Sequence, residues 1–130
     1  MKLVVDTSII IDKLRGGGKW DGLVAELKKK DAEFLLPSIV IFEIFSGQSS
    51  KDKRTINKIT GLLSYFRLVD LTSEIAQKAG EIYRDNDSTL GVADYVIAAT
   101  AMEVGAQVVT LNQKHFRKIP GLVYQIGSDG

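Results

Sequence analysis

Three carboxylates stand in segments too apolar for ordinary surface acids. Asp6 interrupts Lys2-Leu-Val-Val-Asp-Thr-Ser-Ile-Ile-Ile11. Glu43 is the only charge in Ile39-Val-Ile-Phe-Glu-Ile-Phe45, and Asp94 sits in Val92-Ala-Asp-Tyr-Val-Ile-Ala-Ala-Thr-Ala101. An isolated carboxylate in apolar surroundings costs many kcal/mol unless it is paired, hydrogen-bonded, metal-bound or protonated. Read singly, Asp6 can serve as an N-cap and Asp94 can complement a helix dipole. Glu43, in mid-helix, lacks so simple a role. Read together, the three converge on a divalent cation. With no cysteine and one histidine in the chain, oxygen donors point to a hard ion, Mg²⁺ or Mn²⁺, rather than zinc. Such an ion with its waters is the arrangement that phosphodiester hydrolysis uses.

The elements that must position these acids follow from the hydrophobic pattern. Lys2–Val5, Glu33–Leu36, Phe66–Val69 and Gln107–Thr110 read as short strands, and Leu122–Tyr124 as a possible fifth. Helices are expected over Thr7–Leu14, Trp20–Lys30, Ser38–Phe45, Asp52–Tyr65, Thr72–Arg84 and Val92–Val104. Ser38 is the expected cap of the third, and Gly47 and Gly105 are expected stops. Asp85–Thr89 reads as a loop. Phe42, Phe45, Tyr65 and Phe66 are expected in the core. This alternation implies an α/β fold with a mostly parallel sheet of 4–5 strands flanked by helices. Asp6 and Asn112 each follow a strand's carboxyl end, where such sheets bind ligands.

The 130 residues read as a single domain, 1–130. Without cysteine there is no disulfide framework and no thiolate metal site. With a net charge of +1 the chain is not a general polyanion binder by charge alone. The basic clusters at Lys28–Lys30, Lys51–Lys58 and Lys114–Lys118 read as solvated faces. No signal-peptide pattern is present, and Leu3–Ile11 is too short to cross a membrane, so a cytoplasmic protein with no membrane partner is expected. Gly16-Gly17-Gly18 reads as a flexible turn, since the Lys-Ser/Thr of a phosphate-binding loop does not follow it. His115 reads as a surface residue or a backbone hydrogen-bond donor rather than a base.

In the order and spacing of these pieces the chain resembles PIN-domain proteins, specifically the small VapC-type toxins of toxin–antitoxin pairs. The resemblance rests on Val-Val-Asp6-Thr-Ser-Ile, the lone Glu43, Val-Ala-Asp94-Tyr-Val-Ile and Val-Val-Thr-Leu-Asn112-Gln-Lys-His-Phe. It implies a three-layer PIN-like sandwich and a Mg²⁺- or Mn²⁺-dependent endoribonuclease. Asp6, Glu43 and Asp94 then become metal-binding, catalytic acids, and a metal-activated water cuts RNA without a covalent intermediate. Thr7 and Ser8 become candidates to hold water or substrate beside Asp6, and Lys114 and Arg117 candidates to hold the RNA backbone. A fourth family position, often aspartate, falls on Asn112, which brings no charge and favours one resident ion over two.

The resemblance also implies a homodimer silenced by a VapB-type antitoxin. That partner inserts a segment near the acids, often with an arginine, and the helices Ser38–Phe45 and Asp52–Tyr65 would offer it a groove. A competing reading keeps the fold and drops catalysis: an inactive PIN module that binds RNA or a protein partner. An aspartyl-phosphate phosphatase would want a second Asp two residues after Asp6, where Ser8 stands.

Overall fold

Strand β1, Lys2–Val5, is the centre of the molecule. In the computed structural model, which describes residues 1–86 and 90–126 (Gln48 by its backbone alone), Leu3, Val4 and Val5 are fully buried. On one side β1 pairs in parallel with β2, Glu33–Pro37, which pairs with β3, Arg67–Val69. On the other it pairs with β4, Gln107–Val109, with Val5 opposite Val109. The sheet order is β3-β2-β1-β4, all parallel. A parallel strand buried on both faces needs a near-continuous run of branched apolar residues, as β1 supplies.

Among the described residues six α-helices flank the sheet in a three-layer arrangement. They are α1 (Thr7–Leu14), α2 (Lys19–Glu26), α3 (Ser38–Phe45), α4 (Lys53–Leu63), α5 (Ser73–Asp85) and α6 (Val92–Val104). α1 packs on α2, α3 and α4, while α6 packs on α5, β1 and β4. α3 reaches both α1 and α6. Trp20 anchors α2 through an edge contact with Phe34 and a tilted one with Phe66, both at 4.9 Å. Thr72 caps α5 by accepting the Ile75 amide at 3.2 Å. Gly105 ends α6 in the left-handed region at φ 71°, where glycine carries no Cβ penalty.

The structure departs from the sequence expectations in several places. α2 stops at Glu26, and turns carry the chain on through Lys30. Pro37 precedes α3, and Ser38 is its first residue; the Ser38 hydroxyl accepts the Leu71 amide instead of capping. Gly47 has an ordinary φ of −72°, and Ser46 ends α3, its hydroxyl donating to the Glu43 carbonyl. The possible fifth strand reduces to one parallel bridge, Val108 to Val123. Phe66 is buried as expected, but Phe42 is 69 % and Tyr65 67 % exposed, with Phe45 exposed too. α3 is apolar on more sides than the core can cover. Of the expected loop, residues 87–89 lie outside the described residues.

The chain runs from β1 through β2 to β3 and then returns past β1 to β4. The direction of winding therefore reverses between β1 and β4. In open α/β sheets that reversal leaves a crevice at the strands' carboxyl ends.

Candidate active site

Asp6 stands at this crevice. Its backbone amide donates to the Val109 carbonyl at 2.9 Å, which extends the β1–β4 pairing one residue beyond the strand. Its side chain is not a cap: Oδ2 accepts the Thr110 hydroxyl at 2.6 Å and the Ser8 hydroxyl at 2.9 Å. Although Asp6 is only 4 % exposed, its burial is compensated by these two donors. Thr110 also accepts the Asn112 amide, and Ser8 accepts the Leu111 amide, so the loop after β4 is stitched to the start of α1.

Glu43 comes from α3. Its Oε1 accepts the Thr7 hydroxyl at 2.6 Å. Thr7 and Ser8 thus each donate to one of the acids, Thr7 to Glu43 and Ser8 to Asp6. Asp94, in the first turn of α6, meets His115 from the short 3₁₀ turn Gln113–His115: Nδ1 lies 3.3 Å from Oδ2, a pair that becomes ionic when the imidazole is protonated. Burial, and secondarily the charge of Asp6, push the Asp94 carboxyl above its usual range, opposed by His115 and by the Gly91 amide.

Asp6, Glu43 and Asp94 line one open cleft of ≈ 520 Å³ together with Asp12, Arg15 and His115. Asn112 borders it as well. Among the described residues, Asp6 and Glu43 each have one carboxylate oxygen tied by hydroxyls and the other without a hydrogen bond. The sole sealed side-chain polar atom without a partner among those residues is the Tyr95 hydroxyl, so the second Asp6 oxygen is not shut in. Among the described residues no three Asp, Glu, Cys or His side chains close into a ready-made metal cage. The donors are nonetheless of the kind a hard cation takes, and Mg²⁺ is held by one or two carboxylates plus waters more often than by an all-protein cage.

Lys114 and Arg117 do not reach this cleft. They line an adjoining one, of ≈ 540 Å³, that shares Leu111, Asn112 and His115 as its wall. Asp12, Arg15 and the His115–Asp94 pairing were not legible as site features. Asp12 and Arg15 look like ordinary polar residues at a helix end, and His115 is brought to Asp94 only by the tertiary fold.

Comparison with known proteins gives a consistent set of likenesses. A family model described as PIN domain matches residues 3–122. The chain is 30 % identical over 122 residues to "Ribonuclease VapC19" of Mycobacterium tuberculosis, covering 94 % of this chain and 97 % of that one. It is 33 % identical over 118 residues to "Ribonuclease VapC10" of the same organism, covering 88 % and 85 %. Among solved structures it is similar to VapBC2 from Rickettsia felis, bound to a DNA fragment from their promoter. The TM-score is 0.80 at 25 % identity, over 96 % of this chain and 98 % of that one. Among the described residues no helix is long and apolar enough to cross a membrane.

Proposed function

Because this chain belongs to the PIN domain family, we propose that it is an endoribonuclease dependent on Mg²⁺ or Mn²⁺, the toxin of a VapBC-type pair, acting as a single PIN domain over residues 1–130. The observation that carries this reading is the common cleft. Carboxylates from the end of β1, from α3 and from α6 meet there, and two of them keep an oxygen free of hydrogen bonds. The relatives named ribonucleases support the substrate class.

Asp6, Glu43 and Asp94 would hold the metal. When bound, it supplies an activated water and neutralises charge on the phosphate. The chain's own residues do the positioning. Ser8 and Thr110 fix Asp6, Thr7 fixes Glu43, and His115 lies against Asp94. Asn112, at the junction of both clefts, offers an uncharged amide where a fourth acid would add charge. Lys114 and Arg117 hold RNA backbone in the adjoining cleft.

The partner is a VapB-type antitoxin, in keeping with the VapBC assembly to which the fold is similar. Exposed Phe42 and Phe45 on α3, and Tyr65 just past α4, offer it apolar purchase. A homodimer in the cytoplasm completes the reading.

The test incubates the purified protein with a structured RNA pool in EDTA, Mg²⁺ or Mn²⁺, with Asp94→Asn in parallel. Discrete fragments that appear only with metal and only with the wild type are expected. A folded, antitoxin-free protein that cuts no RNA in either metal overturns the nuclease in favour of a binding module.

A further inference from the structure

The segment Arg15-Gly-Gly-Gly-Lys19, a simple helix break in the sequence, is a built turn. The Arg15 amide donates to the Ile11 carbonyl, Gly16 to Lys13 and Gly17 to Asp12, all within 3.0 Å. Gly16 has φ +87°, a left-handed conformation that suits glycine. Gly17 sits so close to the Asp12 carboxylate that an added Cβ would overlap it. The same carboxylate accepts the Lys19 amide at 3.1 Å. Asp12 thus organises the turn: Gly16 supplies its left-handed residue, and a side chain at Gly17 would displace the Asp12 carboxylate.

The consequence lies in where the two ends point. Arg15 lines the cleft that holds Asp6, Glu43 and Asp94. Lys19 lines the adjoining cleft with Lys114 and Arg117, and among the described residues no carboxylate borders that cleft. Among the described residues neither Arg15 nor the Lys19 side chain makes an ion pair, although Arg15 shares its cleft with four carboxylates. One hydrogen-bonded turn therefore presents an uncommitted cation to each of two joined clefts, the first acidic and the second basic.

Resting on the ribonuclease reading, we propose that the Arg15–Lys19 turn is a clamp for the phosphate backbone of single-stranded RNA. Arg15 grips the phosphate presented to the acids, where its planar fork suits two phosphate oxygens. Lys19 grips a neighbouring phosphate of the same strand in the basic cleft. The cations offset the repulsion that four carboxylates exert on an incoming strand, and they set its direction across Asn112.

Anisotropy of a labelled single-stranded RNA in EDTA, across a salt series, tests the clamp. Arg15→Ala and Lys19→Ala should each lower the slope of log affinity against log salt by about 0.7, the value of one lost phosphate contact on a single strand. Both residues are exposed, so both variants should fold. Gly17→Ala should weaken binding without removing a charge, and Lys29→Ala, on the far end of the α2 segment, should match the wild type. With metal present, Arg15→Ala should cut cleavage on the order of 10²-fold, as loss of a phosphate-stabilising donor does. Wild-type slopes for Arg15→Ala and Lys19→Ala, in a protein that still cuts RNA, would overturn the clamp and leave the nuclease standing. Reduced slopes in a protein that cuts nothing with either metal would keep the clamp and overturn the nuclease.

Discussion

The Thr110 hydroxyl donates to Asp6 Oδ2 at 2.6 Å across the β1–β4 seam, joining residues 104 positions apart. The same oxygen of Thr110 accepts the Asn112 amide, so one hydroxyl sets both an acid and the loop that borders it. Thr110→Val keeps the shape and removes both bonds. It should cost about 1.5–3 kcal/mol of stability, the contribution of a hydrogen bond to a charged group. It should also weaken metal binding by roughly 10–100-fold, as loss of a ligand's support does. Urea unfolding and calorimetric Mg²⁺ titration check the two halves separately.

Asp6→Asn should fold and lose metal-dependent cleavage by at least about 100-fold, since removing a ligand exceeds removing its support. Mg²⁺ should raise the melting temperature of the wild type; at a hundred times Kd the gain is about 2.7 kcal/mol. Asp6→Asn should lose most of that gain. An Asp6→Asn protein that is unfolded in EDTA, where the wild type is folded, would return Asp6 to a purely structural role.

Asp94 gives a pH signature. Burial and the Asp6 charge raise its carboxyl. A raised carboxyl holds its proton more tightly in the folded chain than in the unfolded one. Stability therefore falls as pH climbs from the unfolded value, about 4, through the folded one, and the deficit persists at neutral pH. In EDTA at pH 7, Asp94→Asn should melt above the wild type, and the difference should close below about pH 4. Thermal melts of both proteins across pH measure it; a lower melting point for Asp94→Asn at pH 7 would contradict the strain.

Tyr95 is buried in the α5–α6 core with a hydroxyl that has no hydrogen-bond partner. Its ring meets Tyr83 edge-on at 5.3 Å, a contact Phe keeps. Tyr95→Phe should stabilise the protein by about 1 kcal/mol, because the group removed is desolvated and unpaired. A shift of the urea midpoint to higher concentration is the expected result, and a shift to lower concentration would mean the hydroxyl is satisfied in solution.

The elements that carry the acids were the most legible in the sequence. β1, α1, α3 and α6 fall where the hydrophobic period puts them, although of the expected caps and stops at these helices only Gly105 acts as one. The same apolar context singled out Asp6, Glu43 and Asp94, since a carboxylate among branched side chains needs a compensating partner. Residue type failed for Phe42, Phe45 and Tyr65, because apolar residues fill cores but are not confined to them. Arg15 and Lys19 were illegible for the opposite reason. Polar residues in a glycine-rich turn carry no pattern, and their place depends on one glycine's left-handed φ and another's contact with Asp12. His115 and Asp94 meet only after the sheet has brought the loop past β4 beside α6.

Sheet order also fixes when the site can exist during synthesis. Of the four strands described, β1 is made before the others and β4, its neighbour, after them. At about 5–20 residues per second, a growing chain carries Asp6 for roughly 5–20 s before Thr110 is added. Through that interval Asp6 lacks the Thr110 hydroxyl, and the cleft lacks the wall that Leu111, Asn112 and His115 supply. However well β1 and β2 have paired, the cleft is complete only once the segment after β4 has been added.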